Sequence, residues 1–326
     1  MSEARDNRIV VAMSGGGDSA AAALILRRKG FDPCGAVIRF SDASDACVTA
    51  AQGVCGTLGM PLEIIDARAE FERRVVAPFC EAYCAGRTPN PCVVCNPLVK
   101  FKALARAADA LGCRMLATGH YARVEESGGF FRLKRAQCAK RDQSYMLCSL
   151  SQDILSRLAL PLGDAADKSE ARELARRAGL ECAGAPDSQE ICFIPEGDYA
   201  AFIRARGLKG KPGRFIAPDG TPLGPHLGTE NYTVGQRRGL GVALGEPVFV
   251  GEIYANGDIR LVYDGGRYSA AVSLVGFEIN PFYEKIGLPE GLTVKIRSAA
   301  PPAPGQRAVL YDGDCVAASG EIDCCF

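Results

Sequence analysis

Arg8-Ile9-Val10-Val11-Ala12-Met13-Ser14-Gly15-Gly16-Gly17-Asp18-Ser19-Ala20-Ala21-Ala22 is the stretch that decides the fold. A β-branched run, Arg8–Met13, meets a glycine-rich turn, and a helical pattern over Ser19–Lys29 follows until Gly30 stops it. Backbone N–H groups of such a turn, together with those at a helix N-terminus, make a seat for an anion such as pyrophosphate. The loop lacks the lysine of a Walker P-loop, so that reading fails. Gly15, Gly17 and Ala20 match G-x-G-x-x-A, and Asp42 lies at the end of the second strand, so a dinucleotide site is a rival. A tight turn capped by Ser19 or Asp18 is the plain structural alternative.

Outward from the loop the alternation continues. Strands are expected at Cys34–Phe40, Leu62–Asp66 and Arg114–Thr118, and helices at Ala43–Leu58, Phe71–Tyr83 and Val99–Leu111. A loop rich in Pro and Cys is expected from Ala85 to Pro97, and a β-rich stretch near Phe130–Arg135. The pattern is α/β, a doubly wound parallel sheet covered on both faces. Residues 151–206 read as mostly helical. Beyond Gly207 short β-branched runs between Gly and Pro predominate, which predicts small β modules, the last a shortened β-barrel. The expected units are 1–206, 207–268 and 269–326.

The chain has 326 residues, 48% hydrophobic and 23% charged, which excludes a disordered or fibrous protein. Its 38 basic residues cancel its 38 acidic ones, so net charge does not announce a nucleic-acid binder. Lys209, Lys211, Arg214, Arg237 and Arg238 are candidates for a local basic face that contacts phosphate. No run reaches the ~18–20 apolar residues of a membrane helix. The opening residues MSEARDNR lack an apolar core, so a cytoplasmic location without membrane association is expected.

Cysteine is the outlier, with 15 copies. An odd number argues against a disulfide scaffold. Cys34, Cys47, Cys55, Cys113, Cys138, Cys148 and Cys182 read as small buried hydrophobes, and Cys324 and Cys325 as frayed. Two places differ. Thr88-Pro89-Asn90-Pro91-Cys92-Val93-Val94-Cys95-Asn96 carries a C-x2-C, with Lys100 and Phe101 following. Cysteine near a helix N-terminus and beside cations should have a lowered pKa and act as a nucleophilic thiolate. Cys192, in Asp187-Ser188-Gln189-Glu190-Ile191-Cys192-Phe193-Ile194, is the second candidate. Cys80, Cys84, Cys92 and Cys95 as a zinc set, and Cys92, Cys95 and Cys192 as ligands of a four-iron four-sulfur cluster, are the metal alternatives; no metal site is firm.

SGGGDS resembles the SGGxDS loop of PP-loop ATP pyrophosphatases, which adenylate a substrate and release pyrophosphate. The loop occurs in order with TPNPCVVCN and the following KF, ATGHYAR (Ala117–Arg123), RDQSYML (Arg141–Leu147), DSQEICFI and HLGTENYTVGQRRGLG (His226–Gly241). Together these resemble the tRNA-specific 2-thiouridylase family, MnmA. The resemblance implies adenylation of the C2 oxygen of the tRNA wobble uridine and its replacement by sulfur, with ATP and Mg²⁺ consumed or required. It implies tRNA and a cysteine desulfurase persulfide relay as partners, and a monomer is expected. Carried over by position, Ala12, Met13, Ser14, Gly15, Gly16, Gly17, Asp18 and Ser19 match the ATP loop, with Asp18 also assigned to catalysis, and Ile38 and Gly119 fall at nucleotide positions. Asn90, Pro91 and Cys92 match the segment facing the target base. Cys95 matches the nucleophile and Cys192 the persulfide carrier. Arg141, Asp142 and Gln143 match a tRNA-contacting segment, and Arg297 a contact in the C-terminal barrel. His120 is open between a nucleotide contact and a structural bond; His226 is expected to be structural or to position RNA.

Overall fold

The computed structural model describes residues 7–184, 191–194, 197–267, 269–296 and 301–326. Its first sheet is built on β1 (Arg8–Ala12), whose Ile9, Val10 and Val11 are all fully buried. Consecutive burial in place of alternation means that both faces are covered, as a central parallel strand requires. β1 pairs in parallel with β2 (Asp32–Arg39) on one side and β4 (Met115–Ala117) on the other. β3 (Leu62–Asp66) extends the sheet beyond β2, and β7 (Leu158–Ala159) beyond β4. The order β3-β2-β1-β4-β7 reverses direction at β1, so a crevice opens between the carboxyl ends of β1 and β4.

On one face α1 (Gly17–Arg28) and α2 (Asp45–Leu58) bury Ala23, Leu26 and Val54 against Ile9, Val11 and Val37. On the other face lie α3 (Arg68–Phe71), α4 (Ala77–Cys84), α5 (Pro91–Cys95) and α6 (Phe101–Ala110), with Phe71, Phe79 and Leu104 packed around Val10 and Leu116. Wide π-turns at Glu72–Val76 and Asn96–Lys100 join α3 to α4 and α5 to α6. The expected loop at 85–97 is therefore corrected, because its second half is helical. Asn90 accepts the Cys92 N–H at 3.1 Å as an N-cap, and Pro91 occupies the first helical position with its φ already set.

α7 (Gln152–Arg157), α8 (Ser169–Arg177) and α9 (Tyr199–Ala205) follow in the helical stretch. The middle of the chain forms a sheet ordered β10-β11-β8-β9 from β8 (Gly213–Ile216), β9 (Pro222–His226), β10 (Phe249–Ile253) and β11 (Ile259–Val262). The last sheet runs β13 (Thr293–Lys295), β14 (Arg307–Asp312), β15 (Cys315–Cys325), β6 (Phe130–Arg135), β5 (Ala122–Ser127), with β12 (Val272–Ile279) also on β15 and α10 (Pro281–Ile286) beside it. Two of its strands thus come from the first half of the chain. The expected fraying at Cys324 and Cys325 is also corrected: Val272 stands opposite Cys325, and the Cys324 N–H donates to Ser273 Oγ at 3.2 Å.

The segment before α5 is pinned from three directions. Thr229 donates to the Cys84 carbonyl at 2.8 Å, the Thr88 N–H donates to the Pro304 carbonyl at 2.8 Å, and Arg87 pairs with Glu321 at 2.7 Å. A Cβ on Gly86 would lie 2.5 Å from Ile253, which requires glycine there beyond its positive φ of 76°. The middle and last sheets thereby fix where the C-x2-C begins.

Candidate active site

The phosphate loop is braced by hydroxyls. Ser19 Oγ donates to the Gly16 carbonyl at 2.9 Å and accepts the Ser14 N–H at 3.3 Å, and the two serine oxygens lie 3.3 Å apart. Gly15 has φ +77°, and a Cβ there would strike Ala50 of α2 at 2.4 Å. Met13 is buried, and its N–H donates to the Ala36 carbonyl at 2.8 Å, which holds the exit of β1 beside β2. Ile38 is buried on that same strand, and Ala12 ends β1. After β4 the chain crosses the opening of α1 at Gly119. A Cβ on Gly119 would stand 2.8 Å from the Asp18 carbonyl group and the Ser19 nitrogen, so only glycine allows the close approach.

Asp18 has two partners that sequence reasoning did not identify. The Tyr121 hydroxyl donates to Oδ1 at 2.9 Å, and Lys168 Nζ lies 3.0 Å from Oδ2. Tyr121 lies within ATGHYAR, a motif that marks the segment but not this bond; Lys168, 150 positions from Asp18 by the numbering, carries no sequence signal. Gln143 holds the backbone of Tyr121 twice, accepting its N–H through Oε1 at 2.9 Å and donating its own N–H to the Tyr121 carbonyl at 2.8 Å. Neighbouring Asp142 faces inward as well. It accepts the N–H groups of Ala136 and Ser144, both at 3.1 Å, and Lys295 Nζ at 2.8 Å. Burial pushes its carboxyl up, but the bonds from Lys295 and Ser144 outweigh this and hold it below the usual range. Arg141 is exposed. Arg297 lies outside the described residues.

Next to Gly119, His120 turns toward the lysine that follows the C-x2-C. His120 Nε2 lies 3.4 Å from Lys100 Nζ, and its Nδ1 lies 2.7 Å from Thr118 Oγ1. An ammonium has only donors, so Nε2 accepts and Nδ1–H faces the threonine oxygen. Burial, then the charge of Lys100, pushes the imidazole well below its ordinary pKa, so His120 is neutral. Burial lowers Lys100 too, while Cys95, Cys92 and Cys192 raise it. His226 is structural within its sheet: Nε2–H donates to the Gly257 carbonyl at 2.8 Å, and Nδ1 accepts the Gly228 N–H at 3.2 Å.

Cys95 is buried, whereas Cys92 and Cys192 are exposed. The expected low pKa at Cys95 is corrected. Desolvation pushes the thiol up to about 12, against the downward pull of Lys100. The reason is burial in the apolar core, and the leading N–H of α5 that could have favoured a thiolate is bonded to Asn90 instead. Cys192 is raised to about 11, mainly by desolvation, then by Cys92, while Lys100 pulls down and Cys47 adds to the rise. The segment bearing it is anchored by Phe193, whose ring centroid lies 5.4 Å from both Phe71 and Phe79. Each such pair contributes about 0.5–1.5 kcal/mol beyond area burial. Residues 187–190 of that motif lie outside the described residues. Cys47 is exposed on the first turn of α2, and Cys138, Cys148 and Cys182 are half-buried, so the reading of these four as buried is corrected.

Among the described residues no group of three or more His, Cys, Asp or Glu side chains is arranged to hold a metal ion. The zinc and iron–sulfur ligand sets are therefore not assembled; Cys80 is packed in the apolar core. Both Asp18 oxygens are engaged, by Tyr121 and Lys168, and each keeps a second lone pair, through which the carboxylate could join a Mg²⁺ that arrives with nucleotide phosphates and water as its other ligands. A separate cleft of about 560 Å³ runs between α6, α7 and the last sheet. Asn90, Val94, Arg106 and Arg307 are in its walls, and neither the phosphate loop nor a thiol is. Lys209, Lys211, Arg214, Arg237 and Arg238 are all exposed.

A hydroxyl-braced glycine loop at a sheet's topological switch point defines the class: a PP-loop nucleotide-binding α/β protein. The family model for the tRNA methyl transferase HUP domain matches residues 7–196, and that for the tRNA methyl transferase PRC-barrel domain residues 201–262. The tRNA-specific 2-thiouridylase MnmA of Carboxydothermus hydrogenoformans is 37% identical, over 97% of this chain and 97% of its own. Those of Geobacter metallireducens and Trichlorobacter lovleyi are each 38% identical, over 99% and 95% of this chain and 98% and 88% of their own. The chain belongs to the tRNA-specific 2-thiouridylase MnmA family. Among the described residues no helix is long and apolar enough to cross a membrane.

Proposed function

We propose that the chain is an ATP-dependent tRNA sulfurtransferase that replaces the C2 oxygen of the wobble uridine with sulfur. The observation that carries this reading is the Gly119–His120 step. One residue touches the phosphate loop, and the next meets the lysine that acts on Cys95, Cys92 and Cys192. A carbonyl oxygen leaves poorly until it is esterified to AMP. Loop N–H groups between Ser14 and Ser19 bind the phosphates of ATP and stabilise the charge on departing pyrophosphate. Asp18 would hold a Mg²⁺ bound with the nucleotide, which would supply neutralisation of phosphate charge. Tyr121 and Lys168 hold the Asp18 carboxylate in place for that role.

Sulfur reaches Cys192 as a persulfide from a cysteine desulfurase relay. The terminal sulfur attacks C2 and AMP leaves with the C2 oxygen. The Cys95 thiolate then attacks Cys192 Sγ, the bond to the transferred sulfur breaks toward the uridine, and a Cys95–Cys192 disulfide remains. Lys100 supplies the positive field in which Cys95 ionises. The exposed basic residues of 209–238 and Arg141 contact the tRNA backbone, and Asn90, Pro91 and Cys92 face the target base. The enzyme works as a cytoplasmic monomer of three units, 1–206, 207–268 and 269–326. Mass analysis of tRNA nucleosides from a deletion strain tests the reading: 2-thiouridine should vanish and return with the gene. Loss of a different thiolated base instead would assign the chain to another substrate.

A further inference from the structure

Of Arg141, Asp142 and Gln143, which match a tRNA-contacting segment, only Arg141 is exposed. The next four residues grip two parts of the molecule at once. Asp142, Ser144 and Tyr145 face the last sheet. Lys295 of β13 donates to Asp142 Oδ2 at 2.8 Å, Ser144 Oγ lies 2.9 Å from the Tyr311 hydroxyl of β14, and the Tyr145 hydroxyl donates to the Arg307 carbonyl at 2.8 Å. Gln143, between them, faces the other way. It holds the N–H and the carbonyl of Tyr121, whose hydroxyl meets Asp18. Asp142 Oδ1 closes the turn by accepting the N–H groups of Ala136 and Ser144. The Asp142 side chain is only 2% exposed, so its charge depends on Lys295. Without that ammonium a buried carboxylate takes up a proton or turns toward water, and either change weakens its hold on the two N–H groups. The turn that carries Gln143 then loses its anchor.

We propose, resting on the adenylation reading above, that Asp142, Gln143 and Lys295 are positioning residues for Asp18. The last sheet fixes the 142–145 turn, Gln143 fixes Tyr121, and the Tyr121 hydroxyl sets the Asp18 carboxylate at the phosphate loop. RNA contact in this segment falls to Arg141. The late strands β13 and β14 thereby take part in adenylation. The loop N–H groups that seat the phosphates are left alone by this path, so it governs turnover and not ATP affinity.

The test is a double-mutant cycle on the full-length enzyme, read by RNA-dependent pyrophosphate release with ATP varied and tRNA saturating. Lys295→Met should lower kcat about threefold, less than loss of the Tyr121 hydroxyl costs, because it acts through that hydroxyl. The KM for ATP and the tRNA affinity by filter binding should each stay within about twofold, and Lys295→Arg should restore most of the rate. In a Tyr121→Phe background the same Lys295→Met change should cost less than about 1.5-fold more. The full threefold cost in that background would overturn the proposal. Weaker tRNA binding with kcat unchanged would overturn it too and make the segment an RNA contact. Tyr311→Phe removes the bond to Ser144 while keeping the ring 4.0 Å beneath the Arg135 guanidinium, and it carries the same cycle if Lys295→Met does not fold. An unsubstituted enzyme that releases no pyrophosphate with tRNA would overturn the adenylation reading itself. Normal kcat in the variants of an active enzyme would overturn the positioning role alone.

Discussion

The phosphate loop and the thiol corner lie at the same end of one sheet, yet they are prepared to opposite degrees. The loop is braced from within: its serines are bonded to its own backbone, Gly15 stands where any Cβ would strike Ala50, and Gly119 on the turn after β4 stands where one would strike Asp18 and Ser19. The thiols are brought near one another but kept chemically quiet, with Cys95 near 12 and Cys192 near 11. A preformed anion seat costs little reorganisation when ATP binds. A preformed pair of thiolates, in contrast, would be open to oxidation and stray alkylation whenever substrate is away. The anion seat is thus built before use, while the two thiols stay protonated at neutral pH.

The sharpest way to break this contrast is to remove a thiol. Cys95→Ser and Cys192→Ser should each lower thiolation by on the order of a thousandfold or more while RNA-dependent pyrophosphate release persists. Loss of pyrophosphate release in step with thiolation would mean that the two corners act as one. Next is Gly119→Ala, whose methyl would intrude on Asp18 and Ser19. ATP affinity by calorimetry should fall roughly a hundredfold, about 2.7 kcal/mol, with the fold retained by circular dichroism. Unchanged affinity would show a softer loop than the contacts indicate.

The quiet state of the thiols has a pH signature. A raised pKa means less thiolate at any given pH, so reactivity climbs as pH rises and has not levelled off where an ordinary cysteine has. Iodoacetamide labelling of Cys95 should rise roughly tenfold per unit from about pH 7 to about pH 10. A plateau near pH 8 would contradict the burial argument. The smallest effect is expected for Tyr121→Phe, which removes one hydroxyl from Asp18 while Lys168 stays. Adenylation should weaken about fivefold, near 1 kcal/mol.

The first sheet was legible because its signals are local. β3 was placed residue for residue at Leu62–Asp66, and the strand–loop–helix at Arg8–Arg28 needed only the glycine run. α5 was misjudged although its signals were present: Asn90 as cap and Pro91 at the first position mark a helix start, but the surrounding prolines favoured a loop reading. The state of Cys95 was not legible, since its pKa depends on burial under residues distant in sequence. The same holds for Lys168, whose role exists only because α8 packs beside α1. Motif order located the site; the charges acting within it required the fold.

The hairpin β5–β6 has a consequence for how the chain is made. Lys134 stands opposite Cys315, and the Arg135 N–H donates to the Asp314 carbonyl at 2.8 Å. During synthesis the first half leaves the ribosome with β6 presenting a bare backbone edge whose partner has not yet been translated. Open edges of that kind invite pairing with other chains. Here the edge strand carries Arg132, Lys134 and Arg135, charges that oppose such pairing until β15 arrives. The nucleotide-binding half thus gains its last neighbour only when translation is nearly complete, and a nascent chain halted after residue 206 would expose a strand that the finished protein covers.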